Sequence, residues 1–314
     1  MQVHTDINHL PGFKNAVITI GTFDGMHTGH KQITKILKEE AIRINGETVI
    51  ITFHPHPRMI VQNIKTSQKE TATKINLLNT PDEKISLIQK QDIDHLVIVP
   101  FTHEFSLLTA EDYIKHFLVE KFHPHTVIIG YDHRFGKQRQ GNYKLLEAYA
   151  GAYNYIVKEI PEHVINQTAI SSTKIREALS AGDIETANNF LGYDYFFEGT
   201  VEAGDKIGRT IGYPTANLKL TDENKLIPCD GVYAVEVRTG SGELKRGMMN
   251  IGYRPTIGGI KKMIEVNIFD FNEDIYGQSI TVLIKKYLRA EQKFQSLDAL
   301  KNQLSIDKAN AMKY

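Results

Sequence analysis

The sequence predicts a doubly wound α/β domain followed by a small closed β-barrel and a C-terminal helix. The chain has 314 residues, which is enough for two domains of ordinary size. Up to about residue 190, short β-rich runs alternate with helical segments, as in a parallel sheet covered by helices. Between residues 195 and 287 the chain is rich in Gly, Thr, Val and Tyr in short alternating runs, which is typical of a small barrel.

The individual elements follow from hydrophobic spacing. Apolar runs bounded by charged or turn residues predict strands at residues 16–21, 47–53, 95–100, 126–130 and 153–157. Apolar residues three and four apart predict helices at residues 30–44, 83–91, 110–120, 143–149, 172–179 and 184–191. Alternation at 232–237 and 264–268 predicts barrel strands, and helical spacing returns over 290–313. We place the domain boundary so that the domains are residues 1–187 and 188–314.

Composition narrows the class of partner. Lys plus Arg equals Asp plus Glu at 37 each, so no net field attracts nucleic acid or an anionic membrane, and small molecules are the expected partners. Cys229 is the only cysteine, which excludes an internal disulfide and fits a reducing compartment. No apolar stretch has the form of a signal peptide or a membrane span, so we expect a cytoplasmic protein, a monomer or weak homo-oligomer.

A first motif, GTFDGMHTGH, runs from Gly21 to His30 between a predicted strand and a predicted helix. Backbone amides and the positive end of the helix dipole are placed there to receive phosphate. Gly29 leaves space for a ligand, and His27 and His30 can face the same space. Two imidazoles could hydrogen-bond to a phosphoryl group and neutralise its charge during displacement. An isolated histidine pair is more often a cap or a surface feature, so the context decides.

A second motif, ISSTKIR, covers residues 170–176 at the start of a predicted helix. It brings three hydroxyl groups and two cations into about one turn, and together these could hold a triphosphate. A Ser or Thr before a helix is more often only a cap, so this motif is weak by itself.

The two motifs, in this order across an α/β domain, resemble the Rossmann-like HxGH nucleotidyltransferase superfamily. Together with TFHPHP at residues 52–57 and the segment 130–141, they resemble the FMN adenylyltransferase module of bacterial bifunctional riboflavin kinase/FAD synthetases. The resemblance implies that His27 and His30 are catalytic. It implies ATP binding by Gly21, Phe23, Asp24, His27, Gly29, His30, Ser171, Ser172, Thr173 and Arg176. It places Phe53, Pro55, Asp132, Phe135 and Gly136 near FMN.

Three positions depart from that family pattern. His54 stands where an acidic residue is common, His133 where an aromatic residue is common, and Lys174 where Arg is usual. Lysine keeps the charge of arginine but loses its bidentate geometry, so phosphate affinity is the property that this departure affects.

A third motif combines a glycine-rich stretch, residues 199–212, with the sequence GYPTANL that begins at Gly212. The glycines permit close backbone approach to phosphates, although no GxxxxGK[ST] pattern is present. Thr215 and Asn217 are two apart in a strand-like segment, so they point the same way and offer oxygen ligands suited to Mg²⁺. A glycine-rich turn followed by an ordinary strand is an equally good interpretation of the spacing alone.

This segment, with residues 228–234, 247–252, 264–267 and 288–291, resembles riboflavin kinase over nearly all of the second half. The resemblance implies a six-stranded antiparallel flavokinase barrel, with Glu265 as general base and Arg289 on the flavin side. It implies Mg²⁺ at Thr215 and Asn217, and ATP binding by Gly204, Gly208, Gly212, Pro214, Thr215 and Asn217. Asn267 stands where the family often has His.

The resemblances together imply a bifunctional enzyme that uses riboflavin and ATP to make FMN, and then FMN and ATP to make FAD. Mg²⁺ bound with ATP is the expected cofactor, and no structural metal is expected. One alternative keeps only the adenylyltransferase, with either a degenerate kinase half or another small phosphorylated acceptor such as a pantetheine or choline phosphate. The intact Thr215, Asn217 and Glu265 argue against degeneration of the kinase half. Another is a nucleotide sensor or RNA-binding regulator, which the balanced charge disfavours.

Overall fold

The structure is a computed structural model that describes residues 1–66, 75–162, 170–203, 207–240, 242–256 and 259–314. The chain divides into two compact units, Met1–Ser171 and Ser172–Tyr314. The first contains a parallel sheet and the second a closed barrel, so the predicted fold class is confirmed for both halves.

The sheet of the first unit has six parallel strands, in the order β1-β4-β3-β2-β5-β6. The strands are β1 (Gln2–His4), β2 (Val17–Ile20), β3 (Thr48–His54), β4 (His95–Pro100), β5 (Thr126–Gly130) and β6 (Ile156–Ile160). From β2 the chain builds the sheet in one direction through β3 and β4, and it then returns to β5 on the other side. Such a reversal opens a crevice at the carboxyl ends of the central strands, where ligands bind in open α/β sheets.

Helices of the first unit connect these strands and cover the sheet. They are α1 (Thr28–Ile44), α2 (Pro57–Thr66), α3 (Pro81–Gln89), α4 (His103–Ser106), α5 (Ala110–Asp112), α6 (Glu120–Phe122) and α7 (Tyr143–Tyr153), with a π-helix at Tyr113–Val119 between α5 and α6. The start of α3 is well defined, because Thr80 and Glu83 form a capping box around Pro81.

The last strand of the sheet differs from its prediction. The sequence predicts residues 153–157, whereas the strand is Ile156–Ile160. The preceding helix runs on to Tyr153 and ends where Asn154 adopts a left-handed conformation. The short edge strand β1 is not predicted, because its three residues are polar or partly exposed and carry no hydrophobic run.

The second unit is a closed antiparallel barrel, ordered β10-β11-β8-β7-β12-β9. Its strands are β7 (Phe196–Glu202), β8 (Ala216–Leu220), β9 (Gly231–Arg238), β10 (Leu244–Thr256), β11 (Gly259–Ile268) and β12 (Ser279–Arg289). Its helices are α8 (Ser172–Ala181), α9 (Ile184–Leu191), α10 (Ile207–Thr210) and α11 (Leu297–Ala311). Helix α11 starts later than the predicted residue 290, because the Ser296 hydroxyl caps it by accepting from the Ala299 N–H.

A buried carboxylate ties α1 to the sheet of the first unit. Glu40 is 5% exposed and accepts hydrogen bonds from Arg43 Nη2 at 2.8 Å and Lys158 Nζ at 2.6 Å. The Arg43 hydrogen bond, followed by the contact with Lys158 on β6, lowers the pKa of Glu40 to about 2. Ionised Glu40 therefore stabilises the folded state above its ordinary pKa of 4.5, and this stabilisation is lost as the pH falls from about 4.5 to about 2.

We expect Glu40→Gln to lower the free energy of unfolding at pH 7 by about 1–3 kcal/mol, because two cations lose their buried partner. The measurement is urea denaturation of the full chain followed by circular dichroism. The difference between wild type and variant should shrink as the pH falls through 4.5 toward 2. Glu39→Gln, at an exposed position on the same helix, is the control and should change the midpoint little. A Glu40→Gln midpoint equal to the wild-type value at pH 7 would contradict this account.

Candidate active sites

The loop between β2 and α1 is fixed by a buried aspartate. The Asp24 carboxylate is 2% exposed and accepts hydrogen bonds from the backbone N–H groups of Leu78 at 3.0 Å and Asn79 at 3.3 Å. Phe23 and Met26 have positive φ angles of 48° and 36° although their side chains are buried. A left-handed conformation is unfavourable for such residues, so the surrounding packing must hold the loop in this shape.

Two stacked histidines stand at the entrance of α1. The rings of His27 and His30 have centroids 3.7 Å apart, with 18° between their planes. A Cβ atom on Gly29 would lie 3.1 Å from His27 Nδ1, so glycine leaves room for this ring. Burial lowers the pKa of His27 to about 4, against an opposing effect of Asp24. Burial, and then the neighbouring His27 and Lys84, hold the pKa of His30 well below its usual range.

Both shifts favour the neutral form of these two rings at pH 7 in the ligand-free chain. A neutral imidazole can donate a hydrogen bond to a phosphoryl group, whereas only a protonated imidazole offsets its charge. Nδ1 of each ring is buried and makes no hydrogen bond with the described part of the chain.

The residues predicted near FMN follow two strands that flank β2 in the sheet. Phe53 and Pro55 lie at the end of β3, whereas Asp132, Phe135 and Gly136 follow β5. Phe135 is buried and stacks on Tyr113 with ring centroids 4.8 Å apart. Gly136 has φ of +70°, and a Cβ atom there would lie 2.8 Å from the Ala110 Cα, so only glycine fits. The sheet thus brings both predicted flavin segments to the edge that carries the histidine loop.

The two histidines that depart from the family pattern in this half have different environments. His54 is exposed at the end of β3. Burial lowers the pKa of His133 to about 4, and its buried Nε2 makes no hydrogen bond within the residues that the structure describes. His133 is therefore a neutral polar group in a position where the family often has an aromatic ring.

The second predicted ATP motif spans the division between the units. Ser171 ends the first unit, whereas Ser172, Thr173 and Arg176 lie on α8 at the start of the second. Ile175 is fully buried and Thr173 is exposed, so the motif presents a polar face beside the packing face of the helix.

The barrel unit contains a cleft of about 260 Å³. Asn217 on β8 pairs across the sheet with Glu265 on β11, and Glu265 pairs with Asn250 on β10. These three polar residues line the cleft together with Thr215, which directly precedes β8. The volume is many times that of one water molecule, so the cleft can admit a substantial ligand.

Asn267 orients the segment that carries Thr215. Its Nδ2 donates a hydrogen bond to the Pro214 carbonyl at 2.6 Å. Asn267, which stands where the family often has His, therefore helps to fix the backbone before Thr215.

The predicted phosphate-binding glycines differ in how far the structure describes them. Gly208 lines the cleft, and its carbonyl accepts a hydrogen bond from the Tyr213 N–H at 2.8 Å. Gly212 has φ of +86°, which favours glycine. The predicted residue Gly204 lies outside the described residues.

Arg289 lines the cleft but directs its guanidinium to the C-terminal helix. Its Nη2 donates to Asp307 at 2.7 Å and its Nε at 3.0 Å. Asp307 is 1% exposed and also accepts from Gln303 Nε2 at 2.9 Å. Arg289 therefore holds α11 beside the cleft. Leu300 and Leu304 of that helix also line the cleft.

Sequence reasoning missed five polar residues at these sites, namely Asn79, Lys84, Asn250, Glu291 and Asp307. Asn250 and Glu291 lie within the segments that resemble riboflavin kinase, and Asn250 Nδ2 donates to Glu291 Oε1 at 3.3 Å. No sequence pattern marks Asn79 or Lys84, because their partners are distant in the chain. Asn79 contacts Asp24, which is 55 residues away, and Lys84 contacts Thr22, which is 62 residues away.

Two families match successive parts of the chain. The FAD synthetase family matches residues 11–174, and the riboflavin kinase family matches residues 191–314. The first match contains the histidine loop and most of the second ATP motif, and the other contains the whole barrel cleft.

Curated relatives carry both activities in their name, bifunctional riboflavin kinase/FMN adenylyltransferase. The protein from Haemophilus influenzae is 37% identical over 294 residues, which cover 94% of this chain and 92% of the relative. The protein from Escherichia coli is 35% identical over 302 residues, covering 96% and 93%. The protein from Listeria monocytogenes is 37% identical over 294 residues, covering 93% and 90%.

A crystal structure described as a macrolide-efflux protein from Streptococcus pneumoniae also has this fold. It is 29% identical with a TM-score of 0.86, and the alignment covers 100% of this chain and 99% of that one. Within the described ranges, this chain has no helix with the length and apolar character needed to cross a membrane. Two successive family matches, with relatives above 30% identity over almost the whole chain, place it in the family of bifunctional riboflavin kinase/FMN adenylyltransferases.

Proposed function

We propose that the barrel unit transfers the γ-phosphate of ATP to riboflavin, giving FMN and ADP, and that the α/β half transfers AMP from a second ATP to FMN, giving FAD and pyrophosphate. The observation that carries the kinase assignment is the row of Asn217, Glu265 and Asn250 in one cleft. The stacked His27 and His30 at a helix entrance support the adenylyltransferase. Both assignments agree with the family matches.

In the kinase half, Glu265 is the proposed general base. It is half-buried in the cleft, and it would take the proton of the ribityl 5′-hydroxyl as that oxygen attacks the γ-phosphorus. Asn267 keeps the Pro214 segment in place, so that Thr215 and Asn217 stay aligned with the phosphates. Arg289 holds the C-terminal helix over one side of the cleft, where the flavin would lie.

The donor set of this cleft fits Mg²⁺ bound with ATP. Thr215 and Asn217 supply neutral oxygen atoms and Glu265 a carboxylate, which are the hard ligands that this ion prefers. Bound Mg²⁺ would offset negative charge on the transferring phosphoryl group. We propose that Thr215 and Asn217 hold it.

In the α/β half, His27 and His30 are proposed to donate hydrogen bonds to the α-phosphate as the FMN phosphate oxygen attacks it. The lowered pKa values of both rings are compatible with this role, because a neutral imidazole still carries one N–H donor. Phe53, Pro55, Asp132, Phe135 and Gly136 are proposed to border FMN. Ser171, Ser172, Thr173 and Arg176 are proposed to hold the triphosphate.

Three further sequence predictions stand as proposals. The functional boundary between residues 187 and 188 is supported by the family matches, since it falls in the interval between residue 174 and residue 191. A cytoplasmic location is proposed from the sequence, and a monomer or weak homo-oligomer is the assembly that we propose as the default.

The two reactions should be separable by single substitutions. With riboflavin, ATP and MgCl₂, Glu265→Gln should slow FMN formation by roughly 10²–10⁴-fold, because the base is lost, while supplied FMN is still converted to FAD. His30→Ala should slow the conversion of FMN to FAD and leave the formation of FMN from riboflavin unchanged. Chromatography of riboflavin, FMN and FAD over time measures both rates, and a metal-free arm with chelator should abolish riboflavin phosphorylation. Wild-type FMN formation by Glu265→Gln would refute the assignment of the base.

His27 should remain neutral in the substrate-free chain from pH 8 down to pH 5, because burial lowers its pKa to about 4. Nuclear magnetic resonance of ¹⁵N-histidine-labelled protein measures this directly, and the His27→Asn variant assigns the signal. His27 binds a proton less tightly in the folded state than in the unfolded chain. Its contribution to the free energy of unfolding is therefore lost as the pH falls from 6.5 toward 4. A His27 transition near pH 6.5 would show that the ring is charged during part of the working range.

Asp307→Asn should weaken the kinase half alone. The substitution leaves Arg289 largely buried without a carboxylate, so we expect a loss of about 1–3 kcal/mol in stability and a higher KM for riboflavin. Conversion of FMN to FAD should not change. The exposed Asp298→Asn on the same helix is the control. An unchanged riboflavin KM would show that α11 does not shape the flavin side of the cleft.

A further inference from the structure

A small cleft lies at the carboxyl end of β3, between that strand and the start of α3. Its lining includes Thr52, Phe53 and His56 from the strand side, with Asn79 and Lys84 from the other side. Its volume is about 20 Å³, which is room for roughly one water-sized group. The cleft therefore fits a single ligand oxygen and excludes a flavin ring.

Asn79 presents an unsatisfied amide in this cleft. The residue is 2% exposed, and neither Nδ2 nor Oδ1 makes a hydrogen bond with any residue that the structure describes. Buried side-chain polar groups in folded proteins nearly always have a partner, so an exception calls for an explanation. The backbone N–H of Asn79 is held by the Asp24 carboxylate at 3.3 Å, which fixes the residue against the histidine loop.

Lys84 brings a positive charge to the same place. Its Nζ donates to the Thr22 carbonyl at 2.8 Å, and it forms no ion pair within the described ranges of the chain. Burial lowers its pKa, with Asp24 opposing this effect. Lys84 is half-buried, and an ammonium group whose partner among the described residues is one carbonyl has two N–H donors left for an anion.

Lys84 is a source of positive charge beside the histidine loop. His30 lies close enough to Lys84 for the lysine charge to affect its pKa, and burial favours the neutral form of both histidines. During adenylyl transfer, a phosphate oxygen of FMN forms a bond to the α-phosphorus of ATP. The bond from that phosphorus to the bridging oxygen breaks, and pyrophosphate leaves with the electron pair. Negative charge spreads over the phosphoryl oxygens in this step, and fixed donors stabilise it.

We propose that Lys84 and Asn79 bind one phosphoryl oxygen of a substrate during this transfer, with Lys84 Nζ and Asn79 Nδ2 as donors. The proposal rests on the proposed adenylyltransferase function of the α/β half. The oxygen belongs either to the phosphate of FMN or to the triphosphate of ATP, and the same chemistry serves both. Lys84 transfers no proton in this role; it supplies charge and position.

The test uses the full chain with Lys84→Gln, Lys84→Arg and Asn79→Leu, and with Lys90→Gln as an exposed control on the same helical segment. Conversion of FMN to FAD is measured while FMN and ATP are varied separately. Lys84→Gln keeps a donor but loses the charge, so we expect kcat/KM to fall about 10- to 100-fold, as for a lost charged hydrogen bond. Lys84→Arg should recover part of this loss, and Asn79→Leu should lose about 10-fold.

The two sources of the oxygen give different results. A rise confined to the KM for FMN assigns the subsite to the acceptor phosphate, and a rise confined to the KM for ATP assigns it to the triphosphate. Phosphorylation of riboflavin by the same preparations should stay at the wild-type rate, which reports an intact barrel unit in every variant.

Two outcomes would overturn the proposal. One is that Lys84→Gln converts FMN to FAD with the wild-type kcat/KM for both FMN and ATP. The other is an equal loss in the Gln and Arg variants together with a lower thermal midpoint, since that pattern belongs to a structural hydrogen bond to Thr22. If wild-type protein makes FMN but never FAD from supplied FMN, the adenylyltransferase assignment itself fails, and this result is distinct from either outcome above.

Discussion

The buried carboxylate of Asp24 is the interaction on which the α/β site depends. It accepts two backbone hydrogen bonds from the segment before α3, and in doing so joins the loop after β2 to an element more than fifty residues away. A buried charge without partners would be strongly destabilising, so this contact leaves the loop little freedom to move. The left-handed backbone at Phe23 and Met26 is held in the same way. The stacking of His27 on His30 is a consequence of that fixed loop.

In the barrel, strand register has the corresponding role. Asn217, Glu265 and Asn250 can share one cleft only because β8, β11 and β10 pair with these residues opposite one another. A slip of one residue would turn Glu265 to the other face of the sheet, since side chains alternate along a strand. Closure of the barrel leaves no free edge on which such a slip could begin. The proposed general base is therefore positioned by backbone pairing, and Asn267 adds local support through its hydrogen bond to the Pro214 carbonyl.

Sequence patterns predicted the parts of the fold that local spacing determines. The central strands are apolar runs, and their predicted limits lie within one residue of the structure at β2, β3, β4 and β5. The outer strands β1 and β6 were missed or displaced, because edge strands are partly exposed and carry weaker patterns. The histidine loop and the Pro-Thr-Ala-Asn segment were found because their residues are adjacent in the chain. Lys84 and Asp307 were not found, since each is brought close to its site only by the folding of the chain.

The two sites place their charged groups differently. The barrel cleft is lined by side chains that carry oxygen atoms, including Glu265, Asn217 and Glu291, and these suit the Mg²⁺ and phosphates that we propose it binds. In the α/β site, burial favours neutral imidazoles, and in our proposal the positive charge comes from Lys84, whose ammonium group donates to the Thr22 carbonyl. A phosphoryl group arriving with its own Mg²⁺ suits the first surface, whereas an attacking phosphate needs the second, because two anions must approach each other. In the proposed arrangement the cation is on α3 and the histidine donors are at the start of α1, so the α/β site would reduce that repulsion without charging the histidines.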